Sequence, residues 1–296
     1  MSKIGIIGGS GLYKLDNLKV LDDISLVTPF GAPSSVITRC EVRNEHFSTE
    51  VFFLARHGEN HTILPGDVNY AANIWALKSL GVEWCISVSA VGSLSESMAP
   101  GDFVFPTQFI DRTVNRRSTF FGDGIAAHIA FGSPVCPVLH NILSQEAARL
   151  FADEDMSVYP AATYICMEGP AFSTRAESRL YQSWGADIIG MTNIPEAKLA
   201  REAEMAYATI AMVTDYDCWR TDSDDVDIEA LIFVLKKNTE HARRLITRVI
   251  PLIAAAQPSE LASKALSAAI MTPLSAVPEE TLSRLQPILS RWRTAL

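Results

Sequence analysis

The stretch MAYATIAMVTDYDCW, Met205 to Trp219, opens almost wholly apolar and then gathers two carboxylates, two aromatic rings and a cysteine into its last seven residues. An apolar run of this length reads as a strand buried on both faces, the kind found in parallel sheets covered by helices. A surface turn would need neither Tyr216 nor Trp219. A core strand would not tolerate Asp215 or Asp217 unpaired. The segment therefore reads as a central strand whose end opens onto a site. A carboxylate at the closed end of an apolar pocket has its pKa raised by desolvation. It can pass a proton to a weakly basic ring nitrogen or, ionised, accept from an exocyclic amine, and both tasks suit a departing purine.

Outward from this stretch, the same pattern recurs. Lys3 to Gly8, Trp84 to Val91, Ala162 to Met167 and Ala186 to Met191 are further apolar strands. Val36 to Arg43 and Thr49 to Leu54 flank Asn44-Glu45 and suggest a hairpin. Asp102 to Pro106 and Gln108 to Ile110 read as a strand interrupted at Pro106. Helical spacing marks Val68 to Leu80 (ending at Gly81), His140 to Phe151, Ser173 to Trp184, Pro195 to Glu204 and Ile228 to Ile250. Apolar strands alternating with helices predict an α/β chain whose mainly parallel sheet is covered on both faces. Residues 1–256 read as one domain. Residues 257–296 hold two weak helical patterns, Leu261 to Ala269 and Glu279 to Ala295, and read as a peripheral helical extension of unknown role.

The chain has 296 residues, 48% of them hydrophobic, enough for a large core. Its 25 basic and 34 acidic residues give a net charge of −9, which argues against a general nucleic-acid or membrane-surface binder. Met1-Ser2-Lys3-Ile4-Gly5 enters a strand at once, so the expectation is no secretory signal, and no apolar run has the length of a membrane span. Cys40, Cys85, Cys136, Cys166 and Cys218 are scattered and odd in number, with no C-x-x-C pair. The pattern predicts a reducing cytoplasm, no disulfides and no metal site.

Other strand ends carry candidate anion contacts. Gly8-Gly-Ser-Gly11 fails the spacing of a dinucleotide fingerprint and of a P-loop. Taken alone it reads equally as a tight turn or as part of a phosphate cradle, with Ser10 as an extra donor. Arg56, after the strand ending at Leu54, has the fork geometry to hold an oxyanion bidentately. Ser89-Ala-Val-Gly-Ser93 and Gly190-Met-Thr-Asn193 offer small residues and hydroxyls, Ser89 and Thr192 among them. Ligands of open α/β sheets bind at the carboxyl ends of strands, which would collect these residues along one edge. Glu168-Gly-Pro-Ala-Phe-Ser173 is another such end, with Phe172 suited to stacking on a flat ring. No G-x-S-x-G occurs, so a serine triad lacks support.

Seven blocks together, IGIIGGSGLY, ARHGENHTILPGDVNYAANIWALK, SAVGSL, PGDFVFPTQFIDRT, MEGPAFSTRAES, WGADIIGMTNIPEAKLAREA and ATIAMVTDYDCW, resemble in order the trimeric purine nucleoside phosphorylases, and within them the branch acting on 5′-methylthioadenosine. The resemblance spans Ile4 to Trp219. It implies a single α/β domain with a central mixed, largely parallel sheet, a homotrimer, and cleavage of an N-glycosidic bond by inorganic phosphate as co-substrate, with no cofactor. It places Ser10, Arg56, His57, Ser89, Ala90 and Thr192 at phosphate, and Met191 under the ribose. His61 falls on the sugar side, Phe172 and Ser173 line the base pocket, and Asp215 and Asp217 are catalytic acids facing the purine. Ile228, Leu231 and Ile232, on one helical face by their i, i+3, i+4 spacing, would line a methylthio pocket, and His128 would reach a neighbouring subunit's site. Asp215 favours a 6-aminopurine over a 6-oxopurine, whose O6 would meet an ionised acid unpaired. The alternatives are a phosphorylase of 6-oxopurine nucleosides or methylthioinosine, and a non-catalytic nucleoside-binding protein.

Overall fold

The computed structural model describes residues 2–13, 18–43, 47–220 and 228–293, with the backbone alone at Ser10, Tyr13, Ile228, Ala230, Leu231 and Arg293. The strands are β1 (Ile4–Gly8), β2 (Leu18–Ile24), β3 (Ile37–Arg43), β4 (Ser48–Ala55), β5 (Trp84–Ser93), β6 (Phe103–Val104), β7 (Gln108–Arg112), β8 (Val158–Tyr159), β9 (Thr163–Met167), β10 (Ile188–Gly190) and β11 (Ala206–Asp215). The helices are α1 (Tyr70–Ser79), α2 (Pro137–Leu150), α3 (Arg175–Ser183), α4 (Asn193–Glu202), α5 (Ile228–Ala254), α6 (Glu260–Ser263), α7 (Glu279–Arg284) and α8 (Gln286–Arg293). Among the described residues no helix is long and apolar enough to cross a membrane.

All the strands join one mixed sheet in the order β2-β3-β4-β1-β5-β10-β9-β7, with β11 on β5 and β6, and β6 on β8. The β5 strand is its trunk. Its first half pairs parallel with β1 (Ile4↔Trp84 to Ile7↔Ser87), while its last residues pair antiparallel with β10 (Ile188↔Ser93, Ile189↔Gly92). Along its length it pairs parallel with β11 (Ala206↔Trp84 to Val213↔Val91). The β3–β4 hairpin matches the pattern read from sequence.

Alternation along the strands splits the core. Ile4, Ile6, Val51, Phe53, Trp84, Ile86, Val88, Ala208, Ile210 and Met212 face α2 and α5. Ile7, Phe52, Leu54, Cys85, Tyr207, Ala211 and Val213 face α1 and α4. A smaller cluster of Leu94, Ile165, Tyr181, Ala186 and Ile189 lies under α3.

Helix ends follow local chemistry. Asn69 caps α1 by accepting from Ala72 N, and Thr174 with Glu177 forms a capping box on α3. That box starts α3 at Arg175, two residues after the start expected from periodicity.

Two expectations need correction. The interrupted strand at Pro106 is two strands with different neighbours: β6 pairs with β11 and β8, and β7 with β9. The region after Gln257, expected at the periphery, joins the α1–α4 core through Leu266, Leu285, Ile288 and Leu289. Trp75 of α1 donates to Arg284 O, and Glu204 accepts from Leu266 N.

Candidate active site

The parallel register of β1, β4, β5 and β11 brings the carboxyl ends of these strands together, so Gly9 to Gly11, Arg56, Ser89 and Asp215 emerge on one side of the sheet. After β1 the chain turns through a short 3-10 helix, Ser10–Tyr13, whose Gly11 O accepts from Arg243 of α5. Arg56 N donates to Gly8 O at 3.0 Å, which fixes the exit of β4 beside this loop.

The Arg56 guanidinium is buried and mostly committed. Nε and Nη2 donate to the two Glu196 carboxylate oxygens at 2.8 and 3.0 Å. Nη2 also donates to Ser87 Oγ (2.8 Å) and Nη1 to Val88 O (2.9 Å). Burial opposes the charge, but Glu196 outweighs it and Arg56 sits above its ordinary pKa. Glu196 in turn accepts from Ser87 Oγ and Tyr207 Oη. This corrects the expectation of a bidentate fork for an oxyanion. The fork belongs to Glu196, leaving one Nη1 hydrogen without an acceptor among the described residues.

His57 Nδ1 lies 2.8 Å from Ile63 O. A carbonyl only accepts, so Nδ1 carries the hydrogen and Nε2 presents a lone pair. Burial and the neighbouring Arg56 charge push His57 down to about 4, so it is neutral near pH 7. Its ring stacks on the exposed His61 at 4.4 Å between centroids.

Ser89 and Thr192 meet because β10 runs back along the end of β5. Continuing that register sets Thr192 opposite Ser89, and their hydroxyl oxygens are 3.2 Å apart. Both side chains are buried, whereas Ala90 is the one exposed residue in β5.

Three residues along the same strand, about 10 Å on at strand rise, Gly92 faces both acids. A Cβ on Gly92 would stand 3.1 Å from Asp215 Oδ2 and from Ile189 Cγ2 and 3.4 Å from Asp217 Cβ, so a larger residue would crowd the acids. Asp215 accepts from Thr214 Oγ1 (2.7 Å) and Asp217 N (2.9 Å). Asp217 is 6% exposed, and neither its Oδ2 nor the nearby Ser178 hydroxyl has a hydrogen-bond partner among the described residues. Burial raises both carboxyls above the usual range. Thr214 and the Asp217 N–H oppose the rise at Asp215, while at Asp217 the Cys218 N–H opposes it and the Asp215 charge adds to it.

The aromatic and sulfur groups of the opening stretch hold this loop. Trp219 Nε1 donates to Ser93 O, and Cys218 Sγ to Ser173 O. Ser173 is buried and Phe172 is 52% exposed, so the latter ring is free to cover a ligand. Met191 is half-buried against Gly169, where φ is +70° and a Cβ would lie 2.5 Å from its sulfur.

His128 is exposed and distant in sequence from the rest, on a bridge in which His128 N donates to Ala269 O. Ile232 is 45% exposed on α5, and the side chains of Ile228, Leu231 and Ser10 lie outside the described ones. Sequence reasoning missed Glu196, Ser87 and Gly92. Only the adjacency of Pro195 to an acid in a helix's first turn hinted at Glu196.

This convergence of an anion-friendly strand edge with a buried acid pair agrees with a family match. Residues 3–251 match the family described as "Phosphorylase superfamily", and the chain belongs to it. Among its relatives, the S-methyl-5′-thioadenosine phosphorylase of Thermosynechococcus vestitus is 51% identical over 291 residues, covering 98% of this chain and 99% of that one. The protein of the same name from Geobacter sulfurreducens is 49% identical over 290 residues, covering 98% of each. A crystal structure of methylthioadenosine phosphorylase from an antarctic soil metagenomic library superposes with TM-score 0.91 at 48% identity, over 97% of this chain and 99% of that one. A mutant adenosine/methylthioadenosine phosphorylase of Schistosoma mansoni, in complex with methylthioadenosine, gives 0.80 at 35% identity over 95% of this chain and 100% of that one. These relatives and solved structures, unlike the family match, extend into the C-terminal region that the sequence blocks left out.

Proposed function

We propose that the protein catalyses phosphorolysis of 5′-methylthioadenosine to adenine and 5-methylthioribose 1-phosphate, as a cytoplasmic homotrimer serving purine and methionine salvage. The observation that carries the reading is the pairing on one strand, β5, of a hydroxyl pair at Ser89 and an acid pair at Gly92, about 10 Å apart at strand rise. That span accommodates phosphate at one end, purine at the other and ribose between.

In this reading phosphate lies against the backbone of Gly9 to Gly11 and Ala90, the hydroxyls of Ser10, Ser89 and Thr192, and the remaining Nη1 hydrogen of Arg56. The His57 Nε2 lone pair accepts the hydrogen of hydrogenphosphate, a task for which a neutral imidazole is suited. Met191 lies under the ribose with His61 at its side, and Phe172 and Ser173 line the base. The C1′–N9 bond breaks with its electron pair passing to the purine, and the sugar gains oxocarbenium-like charge. The phosphate dianion stabilises that charge from the opposite face and forms the C1′–O bond. Asp215, whose carboxyl burial keeps prone to protonation, gives a proton to N7, and Asp217 accepts from the exocyclic amine. In net, the proton of hydrogenphosphate ends on adenine. Ile228, Leu231 and Ile232 meet the methylthio group, with His128 supplied by a neighbouring subunit. No metal or organic cofactor enters the scheme.

The test is release of the free base, adenine from methylthioadenosine and adenosine and hypoxanthine from inosine, with and without phosphate, beside a sedimentation measurement of mass. Phosphate-dependent release, fastest from methylthioadenosine, by a trimer is expected. Faster turnover of inosine would move the assignment to 6-oxopurines, and no release from any of them would remove catalysis altogether.

A further inference from the structure

Arg116 stands in the connection between β7 and α2, outside every position assigned above, yet its side chain is only 1% exposed. Nη1 donates to Met191 O at 2.6 Å, to Ile194 O at 2.9 Å and to Tyr70 Oη at 3.1 Å. Nη2 donates to Glu168 O at 2.6 Å, and Nε faces the Glu168 carboxylate at 3.3 Å. The main acceptors are thus backbone carbonyls just past the ends of two neighbouring strands.

The position of these carbonyls gives the contact its meaning. Strands β9 and β10 pair in parallel only as far as Gly190↔Cys166. Beyond that rung the chains separate. One leads into Glu168 and on to Phe172 and Ser173, the other into Met191 and Thr192. No ladder bond holds the two exits at a set distance, and the guanidinium replaces the missing rung, with one nitrogen on each exit. A planar fork fixes two carbonyls at once, which the single point charge of lysine cannot do with equal geometry. Glu168 balances the buried charge and holds Val114 N at 2.8 Å, so the loop bearing Arg116 is itself tied down.

We propose that Arg116 is a positioning residue that sets the gap between Met191 and the Glu168–Ser173 segment, and so seats the ribose and purine of the substrate. This rests on the phosphorolysis reading for the identity of that substrate. Arg116 has no assigned contact with the substrate, although it holds the backbone of Met191, which does. It acts through backbone it holds.

The experiment compares wild type with Arg116→Ala and Arg116→Lys. It measures kcat and KM for methylthioadenosine and for phosphate, and adenine binding by calorimetry, each with and without millimolar guanidinium. A displacement of about 1 Å is enough for a loss of about 100-fold, so kcat/KM for methylthioadenosine in Arg116→Ala is expected to fall by about that factor. The KM for phosphate should move less, since Thr192 is also held by Ser89. Guanidinium should restore part of the loss in Arg116→Ala and none in wild type, and Arg116→Lys should fall between the two. Wild-type kinetics in folded Arg116→Ala would overturn the proposal. So would a loss shared equally by nucleoside and phosphate that guanidinium leaves unchanged. If Arg116→Ala does not fold, Arg116→Lys decides: a loss confined to the nucleoside supports the role and wild-type kinetics overturn it. If wild type itself releases no adenine, the phosphorolysis reading fails, and adenine binding still decides the positioning claim. Weaker binding restored by guanidinium supports it, and unchanged binding sinks it.

Discussion

Asp215 and Asp217 owe their chemistry to where a strand ends. Each carboxyl is raised by burial, and Asp215 is placed by Thr214 and by the Asp217 N–H. Asp215→Asn keeps the shape and removes the transferable proton. General-acid help is typically worth about 10²–10⁴-fold, so kcat/KM for methylthioadenosine should fall within that range while the melting temperature stays near wild type. A folded variant with unchanged kinetics would exclude Asp215 as the acid. The converse holds at Glu196. It neutralises a buried guanidinium, and Glu196→Ala strands that charge, which should cost about 3–5 kcal/mol in urea denaturation. Asp215 was legible in the sequence because acids interrupt an apolar run. Glu196 was not, because an acid in the first turn of a helix is ordinary, and nothing local shows that Arg56 folds against it.

The central strands were legible as elements because both their faces are buried and their sequences are apolar throughout. Strand β2 was not, since at the sheet's edge Leu18–Ile24 buries almost nothing and reads LKVLDDI. The two-residue β8 is shorter than any periodicity can report. The C-terminal helices gave weak patterns because they cover the core with few residues each, yet Leu285 and Leu289 are fully buried. Leu285→Ala should therefore destabilise by about 2–5 kcal/mol, as for a core leucine. A change within about 0.5 kcal/mol would mark the region as peripheral. Helix α4 carries a second testable group, Glu202, which accepts from Thr119 Oγ1 and Phe120 N, each at 2.7 Å. Burial pushes its carboxyl up to about 7 from an ordinary 4.5. The folded chain therefore binds a proton there that the unfolded chain has released, and stability contributed below about pH 4.5 is lost as pH rises through about 7. Thermal melts between pH 5 and 8 should show Glu202→Gln gaining on wild type as pH rises. A difference that does not change with pH would contradict this.

At the scale of the molecule, the sheet does the assembling. Loops far apart in sequence, after β1, β4, β5, β10 and β11, share one edge because the strands share a direction or, for β10, turn back along β5. The carboxyl-end rule let the sequence foretell which loops would meet. It could not foretell that β5 is the common rail for both ends of the proposed site, since register is set by pairing and not by composition. A phosphorylase chain of this kind needs phosphate and base held at a fixed separation on a rigid element, and a trunk strand paired on both sides supplies one. The most direct test is a crystal structure of the protein with phosphate and adenine bound. The account predicts an anion among Ser89, Thr192 and His57, and the N7–N6 edge of adenine on Asp215 and Asp217. Adenine bound away from both acids, or an anion away from that end of β5, would contradict it.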